Sequence, residues 1–326
     1  MNQAQPNTAR QAESACEPAS AAEPEPASAP TADLLAATGD NPTPPIGPAG
    51  IALLFPVGHF YSPIADPNDI RAREAVIWER RKSMTGIDLQ VNSQLALLRE
   101  LAPFTLYIDN PIDQPEDPTV YFYSNDQYPV LDAEFLHAAL CYFRPTKMIE
   151  VGSGFSSLIT ADVNRRLLDR SLEFSCIEPY PRQFLIDGVD GISQLVRKKV
   201  EEVELTFFDR LEKNDILFID SSHVTKIGSD VNYLFFEVLP RLKPGVIVHI
   251  HDIFLPDEYP KVWVMDQGRN WNEQYLLRAF LLHNRDWEVI WAAHYMGTWH
   301  RAAVQKIFPR YPQLGEGGSF WIRRVR

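Results

Sequence analysis

Four side chains at two points of the chain are of the types that move protons. Asp220 and His223 follow the apolar run Ile216–Ile219, and His251 and Asp252 follow Val246–Ile250. Imidazole titrates near neutral pH, so His223, three residues from a carboxylate, is a candidate general base. The competing reading gives His223 a hydrogen bond to loop backbone. A third group is of another kind: Met148-Ile149-Glu150-Val151-Gly152-Ser153-Gly154-Phe155-Ser156-Ser157. Here an apolar run ends in an acid, two glycines permit a tight turn, and a helix opens near Ser156. A ligand would meet bare backbone and the positive end of a helix. Glu178, 24 residues beyond Gly154, ends the next apolar run, where a carboxylate can accept hydrogen bonds from two ribose hydroxyls.

Two ligands compete for that loop. A dinucleotide fingerprint wants a third glycine at position 157, where this chain has Ser157, and a diphosphate gains nothing from an acid at position 150. S-adenosylmethionine carries an ammonium and a cationic sulfonium, which suit an acidic strand end. These residues resemble the class I S-adenosylmethionine-dependent methyltransferase superfamily. Its E/D-x-G-x-G-x-G/S loop corresponds to Glu150, Gly152, Gly154 and Ser156, and its ribose-binding acid to Glu178. The stretch Phe218-Ile219-Asp220-Ser221-Ser222-His223 with His249-Ile250-His251-Asp252 is similar to bacterial small-molecule methyltransferases. The resemblance spans roughly residues 130–326. It implies S-adenosylmethionine as cofactor, a small-molecule acceptor such as a sugar or secondary metabolite methylated on oxygen, and Asp220, His223 and His251 at the reaction centre.

Some related O-methyltransferases hold Mg²⁺ with one acid after the fourth strand and two oxygen ligands after the fifth. That implies a divalent-metal site at Asp220, His251 and Asp252, with His251 as the departure, because imidazole suits Mn²⁺ or Zn²⁺ better than Mg²⁺. The alternative makes Asp220 and Asp252 caps of the following turns. The resemblance also implies an adenine-contacting acid, which no single residue marks here; Glu201, Glu202, Glu204 and Asp209 are the nearby candidates. A nicotinamide-dependent oxidoreductase and a non-catalytic Rossmann-like binding module are the competing functions, and fold alone does not separate them.

The elements that must position these groups follow from periodicity. Strands are expected at Lys147–Val151, Glu173–Ile177, Val200–Phe207, Ile216–Ile219 and Val246–Ile250, and helices at Asp132–Phe143, Ser157–Asp169, Phe184–Gln194 and Asp230–Leu242. Alternation of this kind implies an α/β, Rossmann-like, mostly parallel sheet with helices on both faces. A helix at Glu273–His283 and strands at Trp287–Ala293 and Ser319–Val325 follow, the intervening segment showing no crossover helix, so the strand pair is expected as an antiparallel C-terminal hairpin. His249 shares a strand face with His251 and is expected as a core histidine satisfied by hydrogen bonds. Phe254–Trp271, with Tyr259, Trp263 and Trp271, is expected as an aromatic wall for the acceptor; the alternative makes it, with Tyr295, Trp299 and His300, packing under long loops.

Upstream, residues 49–129 read as a helical or lid extension: a short apolar stretch at Ile51–Val57, helices at Ile70–Lys82 and Asp88–Leu101 with Asp88 as N-cap, and a connecting segment over 103–130. Residues 1–48, rich in Ala and holding nine prolines, lack the apolar surface to offset ordering entropy and are expected as a disordered tail. The formal net charge of −12 disfavours nucleic acid and anionic membrane surfaces as partners. Three cysteines without a paired spacing (Cys16, Cys141 and Cys176) imply a reducing compartment, and the absence of an export signal or apolar span implies a cytoplasmic protein.

Overall fold

The computed structural model describes Met1 and residues 54–313 and 316–326. The expected tail and Cys16 lie outside the described residues, as does most of the Ile51–Val57 stretch, whose described end is bend and turn.

Seven strands form one sheet: β1 Lys147–Val151, β2 Glu173–Ile177, β3 Gln194–Val196, β4 Ile216–Ile219, β5 Ile247–Ile250, β6 Trp287–Ala292 and β7 Phe320–Arg324. Their spatial order is β3-β2-β1-β4-β5-β7-β6, with β1 through β5 parallel and β7 antiparallel to both β5 and β6. Every residue of β4 and β5 is buried. Because successive side chains point to opposite faces, both faces of the sheet are covered. The final pair is antiparallel as expected, but β7 enters between β5 and β6 rather than adding at the edge.

Register decides the site. Val151 pairs with Ile219, and Ile219 with Ile250, so β1, β4 and β5 end level with one another. The next residues, Gly152, Asp220 and His251, therefore emerge side by side. The chain order reverses between β1 and β4, which is where an open α/β sheet leaves a crevice beyond its strand ends.

The structure corrects several sequence expectations. Val200–Phe207 is not a strand but two 3₁₀ turns, Val200–Glu202 and Leu205–Phe207, and the third strand is the short Gln194–Val196. Three residues are too few to show a period of two. In the N-terminal extension the single helix expected at Ile70–Lys82 is two short ones, α1 Pro67–Ala72 and α2 Glu74–Ile77. Helix α3, Val91–Leu101, starts after Gln90, whose φ of 54° breaks the helical path, so Asp88 lies outside the cap and accepts the Gln90 N–H at 2.8 Å. α4 (Val130–Phe143) and α5 (Phe155–Leu167) match their expected helices closely. α6 stops at Gln183–Asp187, before Gly188 with φ 97°. α7, Asp230–Tyr233, passes into a wide turn at Leu234–Val238 and a 3₁₀ turn at Leu239–Arg241, where Pro240 has no N–H to continue the ladder.

α8, Lys261–Met265, and α9, Glu273–Leu281, precede β6. Between β6 and β7 the structure has two helices that sequence reasoning missed, α10 Ala293–Trp299 and α11 Arg301–Ile307. Ala293 through Gly297 are all buried, so α10 offers no polar face for periodicity to detect. Residues 78–82 are strapped to this region. The Trp78 indole donates to the Tyr259 carbonyl, the Arg81 N–H to Asp257, and the Trp299 indole to the Arg81 carbonyl. The core is aromatic where α4 meets the sheet: Phe135 stacks on Trp291 at 4.5 Å and leans on Trp321. Among the described residues no helix is long and apolar enough to cross a membrane.

Candidate active site

The loop after β1 is shaped by one close approach. Gly152 has φ 81°, and a Cβ there would stand 1.7 Å from the Asp220 carbonyl oxygen. Only glycine lets β1 and β4 run out together at this point. Gly154 is different: its φ is −163°, and a Cβ there would meet nothing within 4 Å. Its bareness serves open space in front of the loop.

Behind the loop lies Glu150. Expected at the ligand, it is wholly buried, with its carboxylate accepting hydrogen bonds from the hydroxyls of Ser156 and Ser157. The Ser156 hydroxyl is consequently turned inward as well. Ser157, noticed in the sequence only as a missing glycine, closes the turn, because its Oγ also accepts the Gly154 N–H at 3.1 Å. Burial pushes the Glu150 carboxyl up to about 8, the two hydroxyls offsetting this only in part.

Glu178 is half-buried at the lip. Its two oxygens accept the N–H groups of Ser153, at 3.2 Å, and Tyr180, at 2.8 Å, which fixes the carboxylate beside the loop. Two adjoining cavities, of about 560 and 240 Å³, share Gly152, Glu178, Tyr180 and Asp220. Of the four acids offered for adenine, Glu201 lines the larger cavity, whereas Asp209 is tied to Arg241. Gln127 and Tyr128, from the connecting segment, line the smaller one. The Ser221 hydroxyl on the cleft wall is buried and has no partner. Bare backbone, an acid fixed at the lip and an unpaired wall hydroxyl fit a nucleoside ligand with a zwitterionic arm.

At the ends of β4 and β5 two histidines and two aspartates meet. Nε2 of His223 is 3.3 Å from Asp220 and 3.5 Å from Asp252, and Nδ1 of His251 is 3.6 and 3.5 Å from the same two carboxylates. The outer nitrogen of each ring is held by a further buried acid. Glu273 lies 2.9 Å from Nδ1 of His223, and Asp132 lies 3.2 Å from Nε2 of His251. Burial alone would lower both imidazoles. The neighbouring carboxylates win instead, carrying His223 to about 10 and His251 well above its ordinary range. His223, a candidate base with a loop hydrogen bond as its alternative, thus has carboxylates at both nitrogens. His223 and Asp252 also adopt left-handed backbone, with φ of 60° and 56°, a conformation that non-glycine residues hold only when their surroundings insist.

Asp132 and Glu273 were missed because each stands in the first turn of its helix, α4 or α9, where an acid reads as a helix-end residue. The donor atoms of Asp220, His223 and Asp252 all lie within 4.8 Å of one another, and Nδ1 of His251, offered in the sequence beside the two aspartates, lies 3.6 and 3.5 Å from them. His249 is in the core, stacked on Phe218 at 3.8 Å, but neither ring nitrogen has a hydrogen-bond partner, so it is not the satisfied histidine expected. The aromatic wall divides. Trp271 lies 4.3 Å from the His223 ring, centroid to centroid, while Tyr295 and Trp299 hydrogen-bond the 81–82 backbone and Tyr295 packs on His300. Cys141 and Cys176 are buried and free.

A glycine loop, a lip acid and a cleft at the switch point of a sheet with β7 reversed between β5 and β6 define a methyltransferase-type Rossmann-like fold. The family model described as "Methyltransferase domain" matches residues 149–253. An uncharacterised protein of Archaeoglobus fulgidus is 37% identical over 172 residues, covering 51% of this chain and 77% of that protein. Among solved structures, a candidate O-methyltransferase of Klebsiella pneumoniae aligns with a TM-score of 0.35 and 12% identity, over 79% of this chain and 96% of that one. An O-methyltransferase of Bacillus cereus in complex with SAH aligns with a TM-score of 0.34 and 12% identity, over 79% and 97%. The chain belongs to the class I S-adenosylmethionine-dependent methyltransferase superfamily, and it is an S-adenosylmethionine-dependent methyltransferase.

Proposed function

We propose that the protein methylates an oxygen of a small molecule, such as a sugar or secondary metabolite, in the cytoplasm. The observation that carries this reading is the pair of aspartates and pair of carboxylate-backed histidines at the ends of β4 and β5, directly beside the glycine loop. An oxygen acceptor needs its proton removed, and a positioned base contributes roughly 10²–10⁴-fold.

Placement supports the residue roles in this reading. Gly152 and Gly154 bring backbone to the methionine arm, with Glu150 and Ser156 holding the loop from behind. Glu178 takes the ribose hydroxyls, and Glu201 and Tyr180 flank the adenine. Bound there, the sulfonium supplies a methyl group already activated for displacement. Asp220, on the cleft wall, takes the hydroxyl proton, while His223 and His251 hold that carboxylate in place. A divalent cation at these strand ends is part of the same reading. Residues 57–129 serve as an extension over the catalytic domain that begins near residue 130.

Two measurements test it. Calorimetry with S-adenosylhomocysteine should show binding by the full chain and at least tenfold weaker binding by Glu178→Ala, about 1.4 kcal/mol. Mass spectrometry of cell extract incubated with the protein and methyl-labelled cofactor should reveal an O-methylated small molecule. A labelled macromolecule or an N-methylated product overturns the acceptor assignment.

A further inference from the structure

We infer that the cavity between the N-terminal extension and the segment 258–275 is a binding site for a planar aromatic anion, separate from the cofactor cleft. The inference goes beyond the methyl-transfer reading and stands without it.

The walls are built before any ligand arrives. The cavity holds about 290 Å³, with Ile70, Ile77 and Trp78 contributed by α1, α2 and the residue after them, and Tyr259, Trp271 and Tyr275 by the segment that follows β5. This is close to the lower bound of small-ligand pockets, roughly 300–1,000 Å³, and leaves room for one or two fused rings. It shares no residue with the two cavities at the glycine loop. Trp78 donates its indole N–H to the Tyr259 carbonyl at 2.8 Å, Lys261 pairs with Glu74 at 2.7 Å, and the Lys261 ammonium lies over the Trp78 ring at 5.9 Å. The extension lies outside the stretch 149–253 matched by the family model, so its wall is an addition to the methyltransferase domain.

The polar groups of the wall set the ligand class, because most are spent inside the protein. Besides the Trp78 indole, the Tyr275 hydroxyl donates to Glu258 and the Tyr259 hydroxyl accepts the Gln274 N–H. Asn272 uses both ends of its amide on the Thr225 backbone, and Arg73 is paired with Asp69. A sugar would bring hydroxyls that find no partner here, and burying them would cost affinity. Flat apolar rings carry no such cost and stack on the aromatic walls.

Arg269 is the exception. Its guanidinium is stacked 4.2 Å from the Trp263 ring and 4.6 Å from the Trp271 ring, and among the described residues no side-chain or backbone acceptor meets it. Stacking holds the planar fork in place and leaves its N–H edge for an anion, a carboxylate being the group that matches it in shape. Glu258, the acid of this wall, has its Oε1 engaged by Tyr275 and the Gln274 amide. Trp271 also faces the His223 ring at 4.3 Å, so an occupant rests one side chain away from the strand-end aspartates.

Calorimetry on the full chain tests this with four probes: naphthalene-2-carboxylate, its neutral amide, 2-naphthylmethylammonium and methyl glucoside. One equivalent of the carboxylate should bind, with and without saturating S-adenosylhomocysteine. The amide should bind about 10- to 100-fold more weakly, and the ammonium compound and the glucoside more weakly still. Arg269→Gln should bring the carboxylate down to the level of the amide and leave the amide unchanged. Ala65→Trp, which fills the cavity, should abolish binding of both at an unchanged melting temperature. Absent binding of the carboxylate, equal binding of carboxylate and amide, displacement by S-adenosylhomocysteine, or binding unaltered in both variants would each overturn the inference.

Discussion

The wholly buried carboxylate of Glu273 lies 2.9 Å from Nδ1 of His223, across 50 residues of sequence. The hydrogen bond fixes one nitrogen as donor and points the other at Asp220 and Asp252. Glu273 is thus a positioning residue that touches no ligand itself. Replacing it with Gln keeps the shape but removes the charge, so methyl transfer should fall about 10- to 100-fold while affinity for S-adenosylhomocysteine stays within about threefold. A kcat and KM comparison on Glu273→Gln checks this, and an equal loss in both quantities would assign Glu273 to folding alone.

The two loop glycines should respond in opposite ways. Gly152→Ala forces a Cβ against the Asp220 carbonyl at positive φ, so it should cost about 3 kcal/mol or more in stability. Gly154→Ala meets no protein atom and keeps an extended φ, so melting should barely change while cofactor affinity drops about tenfold or more. Thermal melts beside calorimetry separate the two.

Glu150 makes a pH prediction. Its carboxyl is raised from 4.5 to about 8 in the folded chain, so folding favours the protonated form. The stability it contributes is whole below about pH 4.5 and is lost as pH rises to about 8 and the folded group ionises. At about 1.4 kcal/mol per pH unit the loss is on the order of a few kcal/mol. Glu150→Gln cannot ionise, and urea midpoints at about pH 5 and about pH 9 should lie closer together in that variant than in the parent chain.

Asp132 links three partners: it accepts the N–H groups of Gly318 and Ser319 and faces His251. An amide in its place turns an NH₂ toward at least one of those donors. Asp132→Asn should therefore cost about 1–3 kcal/mol by urea unfolding, and an unchanged midpoint would show that the β7 entry is held by other contacts.

Much of this was legible because the motifs are local. Glu150 through Ser157 lie on one strand–turn–helix, and the alternation of buried runs and helices sets their order on the chain. The short β3, the largely buried α10 and the strapped 78–82 segment were not legible, since their conformations answer to neighbours rather than to a period.

By itself the sequence determined the sheet class, the glycine loop and the acids and histidines at the strand ends, because burial and turn chemistry act over a few residues. Only the tertiary structure decided which groups meet. The level ends of β1, β4 and β5 bring Gly152, Asp220 and His251 together, and α4 and α9 deliver Asp132 and Glu273 from 119 and 50 residues away. Buried carboxylates and imidazoles need partners for their charge, and which partners they find is set by packing, not by spacing along the chain.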